Sequence, residues 1–203
     1  MSEPLTNGRT DESSLARNTQ PFWPALSVLL VVLAMAVTLR LQGRTWFCAC
    51  QHLMFWSSDV WSRHNSQHLL DPYSFTHLLH GVVFCGLLKW LAPRWPAEWR
   101  FTCAVAIECL WEVLENSQMV IERYRAATAA IGYEGDSIVN SLGDCLVCAL
   151  GFAVARRLGW TRSIVLFVLI EIVLLFWIRD NLTLNVIMLL FPIEGVKAWQ
   201  LGG

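Results

Sequence analysis

The sequence predicts an all-α integral membrane protein, a five-helix transmembrane bundle followed by a short C-terminal interfacial or re-entrant helix. Three observations carry this. Hydrophobic residues make up 55% of the 203 residues and charged residues only 15%, against about 25% charged in a typical soluble domain. Tryptophan occurs 11 times, and Trp46, Trp56, Trp61, Trp95, Trp99, Trp160 and Trp199 flank span ends, where indole rings anchor at membrane interfaces. Finally, apolar stretches of spanning length recur along the chain. The 15 Lys and Arg nearly cancel the 16 Asp and Glu, so no basic field exists to hold nucleic acid.

Residues 1–21 are polar, lack aromatics and carry both charge signs, the composition of a disordered tail; residues 22–203 form a single transmembrane domain. Between Phe22 and Leu39 no charge interrupts 18 residues, just enough for a first span. The Ala34-Met35-Ala36 triplet resembles a signal-peptidase site. The long preceding segment with Glu3, Asp11 and Glu12 is unlike a short basic leader, so the span reads as an uncleaved anchor. Further spans follow at 74–91, 101–122, 136–155 and 163–178. The stretch Leu182–Leu190 is too short to cross a hydrocarbon core of about 30 Å, and it follows a break at Arg179-Asp180-Asn181. Short connections carrying Arg94/Arg100 and Arg156/Arg157/Arg162 favour a cytoplasmic N-terminus and an outside C-terminus. No internal repeat of the transporter kind is visible.

The polar residues inside these spans share one level of the membrane. Glu108, Glu112 and Glu115 lie at i, i+4 and i+7, on one face of the third span, with Asn116 at its border. Asp136, Asn140 and Asp144 make a matching stripe on the fourth, and His77 and His80 stand one turn apart on the second. At about 1.5 Å per residue, His77, His80, Glu112, Glu115, Asn116, Asn140 and Asp144 fall at similar depth; Glu108 and Glu171 fall deeper. Ionisable groups in hydrocarbon cost roughly 2.5–3.5 kcal/mol each on insertion scales, so nine converging groups exceed what helix cohesion needs. The spacing therefore assigns a catalytic set of Glu112, Glu115, Asp144, Asn140, Asn116 and Asp136. His77 and His80 become candidate ligands for a divalent metal such as zinc. The rim, with substrate-binding roles, comprises His68, Asp71, Arg123, Arg125, Arg179 and Asp180. The arginines suit phosphate or carboxylate groups. Ser137 and Ser141 could serve as nucleophiles, but no strand-turn-helix elbow supports them, and helix packing is their better reading.

Five cysteines, Cys85, Cys103, Cys109, Cys145 and Cys148, lie within spans and read as small apolar side chains. Cys48 and Cys50 lie just beyond the first span, where pairing, redox chemistry and metal binding are all open to them.

The stretches NSQHLLDPYSFTHLLHG, WEVLENSQMVIERYRAATAAIGYEGDSIVNSLGD and IRDNLTLNVIMLLFPIEGVKAWQ resemble a family of bacterial multi-pass inner-membrane proteins carrying a domain of unknown function, over about residues 42–200. Cys48-x-Cys50 looks like that family's outer-loop pattern, with Gln51 where glycine is expected. The resemblance implies residence in the bacterial plasma membrane and carries no activity. Function therefore rests on the residues, which favour a hydrolase or transferase acting on a lipid-linked or envelope substrate. The alternatives are a non-enzymatic factor whose outer loop binds a membrane protein partner, and a small transporter or proton path.

Overall fold

The computed structural model describes residues 22–128, 130 and 132–202; the expected tail over 1–21 lies outside them. Among the described residues the elements are α1 (Phe22–Leu41), α2 (Ser74–Leu91), α3 (Ala97–Glu115), α4 (Gln118–Ala127), α5 (Ile138–Leu158), α6 (Trp160–Ile178), α7 (Leu182–Leu190) and α8 (Glu194–Gln200). The extended pairing recorded among these residues is one bridge between Trp56 and Leu70. Four helices, α1, α2, α5 and α6, are long and apolar enough to cross a membrane. The 19-residue α3 has the length but carries Glu98, Arg100, Glu108, Glu112 and Glu115, which lower its hydropathy.

The third expected span, 101–122, is divided. It begins earlier, at Ala97, and stops at Glu115. There Asn116 turns its amide toward Asp136 at 2.9 Å, and the Ser117 hydroxyl caps α4 by accepting from Val120 N–H. A helix cannot continue through a residue whose side chain has replaced the backbone as partner of the next N–H groups. The fourth begins at Ile138, not 136, because Ser137 is its N-cap, accepting from Asn140 N–H. That settles one serine as a cap.

The centre of the molecule is the contact between α2 and α5, the most extensive between any two helices. Gly81 of α2 lies against the Cys148 backbone carbonyl, and Gly151 of α5 lies against that of Leu78. A Cβ at either would meet backbone, so small residues let the two helices approach as close-packed membrane helices do. α3 packs against both, and α1 covers α3 through Met35, Ala36 and Leu39, which meet Val105, Cys109, Ile138 and Cys145. On the outside, Leu29, Leu30, Leu33 and Val37 of α1 and Val165, Leu169, Val173 and Phe176 of α6 are exposed. Such rows would be costly in water and suit contact with hydrocarbon.

The loop between α1 and α2 docks on the start of α5. Ile138 N–H donates to Thr45 O at 2.8 Å and Val139 N–H to Trp46 O at 3.1 Å, while Ser137 N–H donates to Ser66 O at 2.9 Å. Ser137 Oγ donates to Gln67 O and Asn140 Nδ2 to His68 O. The unpaired N–H groups that open any helix thus find their acceptors in this loop. The nine-residue α7 is about 13–14 Å long, and its start is capped twice: Asn181 accepts from Leu184 N–H, and the Glu171 carboxylate accepts from Leu182 and Thr183 N–H.

Candidate functional site

His77 stands one turn into α2 and is buried against α3. Its Nδ1 donates to Glu108 Oε1 at 2.5 Å, and His80 Nδ1 donates to Glu108 Oε2 at 2.9 Å. The i, i+3 spacing puts both imidazoles on one face, and one fully buried carboxylate receives both. With Glu108 as acceptor, the Nδ1 atoms hold the hydrogens, leaving His77 Nε2 facing Asp144 Oδ2 of α5 at 3.9 Å. Asp144 accepts from the Ser74 hydroxyl at 2.7 Å. Glu112 Oε1 lies 3.4 Å from His77 Nδ1, yet neither Glu112 oxygen has a hydrogen-bond partner although the residue is fully buried. A second cluster joins the first at the α3–α4 break. Asp136 accepts from Asn116 Nδ2 at 2.9 Å and from Tyr133 O–H at 2.8 Å, and its own N–H donates to Asn116 Oδ1.

Beside these groups lies a cavity of about 360 Å³. Its lining combines polar Tyr73, Tyr133, Asp136, Asp144, Asp180 and Asn185 with apolar Phe84, Ile107, Trp111, Leu182 and Val186; His77, His80 and Glu115 also line it. The structure therefore gathers His77, His80, Glu115, Asp136 and Asp144 around one space. Glu112, Asn116 and Asn140 sit in the layer behind it: Glu112 beside His77, Asn116 on Asp136, and Asn140 on the His68 carbonyl.

The expected rim is a different matter. Asp180 lines the cavity and accepts from Tyr73 O–H and Asn181 N–H. Burial raises its carboxyl to about 6 despite those bonds. His68 and Asp71 do not line it. Asp71 is buried and accepts from Ser66 N–H at 2.9 Å and Tyr73 N–H at 2.7 Å, with its carboxyl raised to about 6, again by burial first. His68 Nδ1 accepts from Met54 N–H. Both hold the loop together. The three arginines, expected to meet an anion, do not line it either. Arg123 donates to the Leu189 and Leu190 carbonyls at the end of α7, Arg125 to Tyr133 O, and Arg179 to Trp199 O. The reason is local: helix ends and turns leave carbonyls unpaired, and a guanidinium has donors to spare. Among the described lining residues none is Lys or Arg.

Glu108 is the centre of the histidine pair, although a span over 101–122 sets it too deep to belong to the site. Its i−4 spacing from Glu112 is the signal in the sequence, and the end of α3 at Glu115 removes the added depth. Ser74, Tyr124 and Tyr133 carry no periodic signal and emerge only once α4 and the segment before α5 fold over the cavity; Tyr124 O–H reaches Asn185 at 2.9 Å.

Three overlapping groups have ligand atoms within 4.8 Å of one another: His77, His80 and Glu108; His77, Glu112 and Asp144; Glu112, Glu115 and Asp136. Together these are five carboxylates and two imidazoles. The His77–Glu108 bond is the arrangement in which a carboxylate fixes an imidazole so that its other nitrogen can bind a metal. Such a surplus of acidic groups in a water-poor interior calls for protons or a cation. A fourth group, Cys48, Cys50, His64 and His68, stands apart in the α1–α2 loop.

Residues 39–202 match the family described as "Protein of unknown function (DUF2585)", and the chain belongs to that family. It is 42% identical to a UPF0314 protein of Sphingopyxis alaskensis over 181 residues, covering 89% of this chain and 95% of the relative. It is 43% identical to one of Brucella anthropi over 195 residues, 94% and 99% of the two chains. A third, of Rhizobium meliloti, is 45% identical over 178 residues, 87% and 90%. No solved structure matches the chain. All three relatives are bacterial.

Proposed function

We propose that this chain is a five-span protein of the bacterial inner membrane, its N-terminus cytoplasmic. In this reading it processes the polar head of an amphipathic molecule, by hydrolysis or group transfer, in the outward half of the bundle. The observation that carries this is the cavity's mixed lining. Apolar Phe84, Ile107, Trp111, Leu182 and Val186 share it with the polar groups, and the Phe84 and Trp111 rings lie 5.7 and 6.1 Å from that of His80, as suits a lipid-linked substrate entering from the membrane with its head inside. α3 supplies the fifth span, its Glu108 and Glu112 directed at His77 of α2 and Asp144 of α5 and away from lipid.

The lining also defines the head. With no Lys or Arg and with Glu115, Asp136, Asp144 and Asp180 present, it repels a bare phosphate or carboxylate and suits hydroxyl- or amine-bearing groups, such as a glycosyl or amino head. Trp111 offers such a head an aromatic face. His77, held by Glu108, is the acid–base group. Water or an acceptor hydroxyl attacks the reacting centre and gives its proton to His77 Nε2; the bond to the leaving oxygen breaks, and that oxygen receives the proton. Were a divalent ion held by His77, Glu112 and Asp144 instead, His77 Nε2 would be its ligand and not the base, and the ion would supply Lewis acidity in its place.

Two experiments test this. Protein extracted into nanodiscs from its native membrane should retain an amphiphile enriched over bulk lipid by mass spectrometry, and His77→Ala should lose it. Bulk lipid composition in both would overturn the reading. Reporters fused after Gln200 should give periplasmic activity; cytoplasmic activity would invert the orientation and move the cavity to the inner face.

A further inference from the structure

The α1–α2 loop carries a second cluster with no part in the cavity's chemistry. Cys48 is buried and Cys50 partly so, and the two are joined as a disulfide across one residue, with Cα atoms 5.1 Å apart. His64 and His68, one helical repeat apart, stack at 5.3 Å between ring centroids. His64 Nδ1 lies 3.2 Å from His68 Nε2 and 3.7 Å from Cys48 Sγ. One ligand atom from each of the four lies within 4.8 Å of all the others. The turn that places the sulfurs is specific: Gln51 follows the pair with φ 62°, the left-handed region that favours glycine.

We propose that the reduced loop is a Cys2His2 metal site, ligated by Cys48, Cys50, His64 and His68, for zinc or a similar thiophilic divalent ion. A tetrahedral zinc with bonds of about 2.3 Å to sulfur and about 2.0–2.1 Å to nitrogen has edges of about 3.3 Å between two nitrogens and about 3.6 Å between nitrogen and sulfur. The His64–His68 and His64–Cys48 separations of 3.2 and 3.7 Å match both edges. Two thiolates also make the set electrically suited to a divalent cation, which a pair of neutral imidazoles completes. Binding releases both thiol protons; at His68 the hydrogen on Nε2 is replaced by the metal and Nδ1 takes one up, giving up its bond from Met54 N–H. The cysteine spacing is one residue tighter than the usual C-x2-C knuckle, and the left-handed Gln51 turn is what lets the loop fold back after it.

The site's position gives it a purpose. Asn65 and Ser66, between the two histidines, line the cavity, and Ser66 O and His68 O accept from Ser137 and Asn140 at the start of α5. A metal on this loop would clamp the roof of the cavity to α5. It would be a structural ion, distinct from any ion at His77.

The test separates a metal clip from a disulfide. Protein extracted without added reductant should contain one zinc lost on His64→Ala or Cys48→Ser and kept on His77→Ala. Cys48 and Cys50 should become alkylated after a chelator alone. Cobalt(II) substituted into the apo-protein should show thiolate-to-metal charge-transfer absorption, which a carboxylate–histidine site cannot give. The proposal is overturned if alkylation requires a reductant and is indifferent to chelator, or if the reduced protein takes up cobalt without a thiolate band. Because His77→Ala leaves this clip intact, its failure and that of the cavity's function are told apart.

Discussion

The two ends of the α2–α3–α5 bundle are built from the same helices and from opposite chemistry. At one end Leu88, Ala104 and Phe152 pack with Phe84 and Phe101, the Phe101 and Phe152 rings meeting edge to face at 5.5 Å. At the other, the same helices bury Glu108, Glu112, Asn140 and Asp144 around His77. At the apolar end the three helices meet through these apolar side chains. Helix cohesion therefore does not explain the polar end, where interhelical hydrogen bonds of about 0.6 kcal/mol apiece would be a poor return for several buried carboxylates.

The largest effect should come from the element common to both ends. Gly151→Val drives a side chain into the Leu78 backbone, which cannot yield as a side chain can. The overpacking cost of about 1–3 kcal/mol or more should separate α2 from α5. Loss of monodisperse protein on size exclusion is the expected outcome; a folded variant with its cavity intact would mean the two ends do not share this contact.

Next in size is a contrast between the ends. Phe152→Ala should lower the melting temperature by an amount corresponding to roughly 3 kcal/mol and leave amphiphile retention intact in the protein that remains folded. Glu108→Gln should weigh the other way, with the smaller loss of stability and the loss of retention. An amide can still accept from one imidazole, so stability falls by about 1–2 kcal/mol, while retention of the amphiphile should be lost. If both variants altered stability and retention in parallel, the division between the ends would be wrong.

How much of this was legible in the sequence follows the same division. The carboxylate stripes and the His77/His80 pair were readable because helical spacing fixes which residues share a face. Glu108 escapes a depth argument because the apolar spacing does not mark the Asn116-Ser117 break, and a span carried to 122 instead of ending at Glu115 sets it about 10 Å deeper. The arginines differ from the expected rim for another reason. Their partners, the carbonyls of Leu189, Leu190, Tyr133 and Trp199, belong to backbone, which carries no signature in sequence. The same holds for the loop that caps α5 through the Thr45, Trp46 and Ser66 carbonyls.

A smaller effect concerns acidity at the polar end. Asp180 and Asp71 have carboxyls raised to about 6 by burial, above the unfolded value near 3.9. A raised acid stabilises the fold in its protonated form. That contribution is full below about pH 4 and is lost as pH rises through 6. The melting temperature should therefore decline between pH 5 and pH 7, less so in Asp180→Asn; an unchanged slope would exclude Asp180 as a source. Smallest should be Arg123→Ala, which removes exposed bonds to the end of α7 and should cost about 1 kcal/mol, with faster amide exchange confined to α7.

The most direct measurement is the thermal stability of Glu112→Gln beside its amphiphile retention. Glu112 is fully buried, lies 3.4 Å from His77 Nδ1 and has no hydrogen-bond partner for either oxygen, so as a structural group it has little to lose. If the polar end exists for function, neutralising it should leave the melting temperature equal or higher and abolish retention of the amphiphile. A lower melting temperature with retention unchanged would contradict that and make the cluster part of the scaffold.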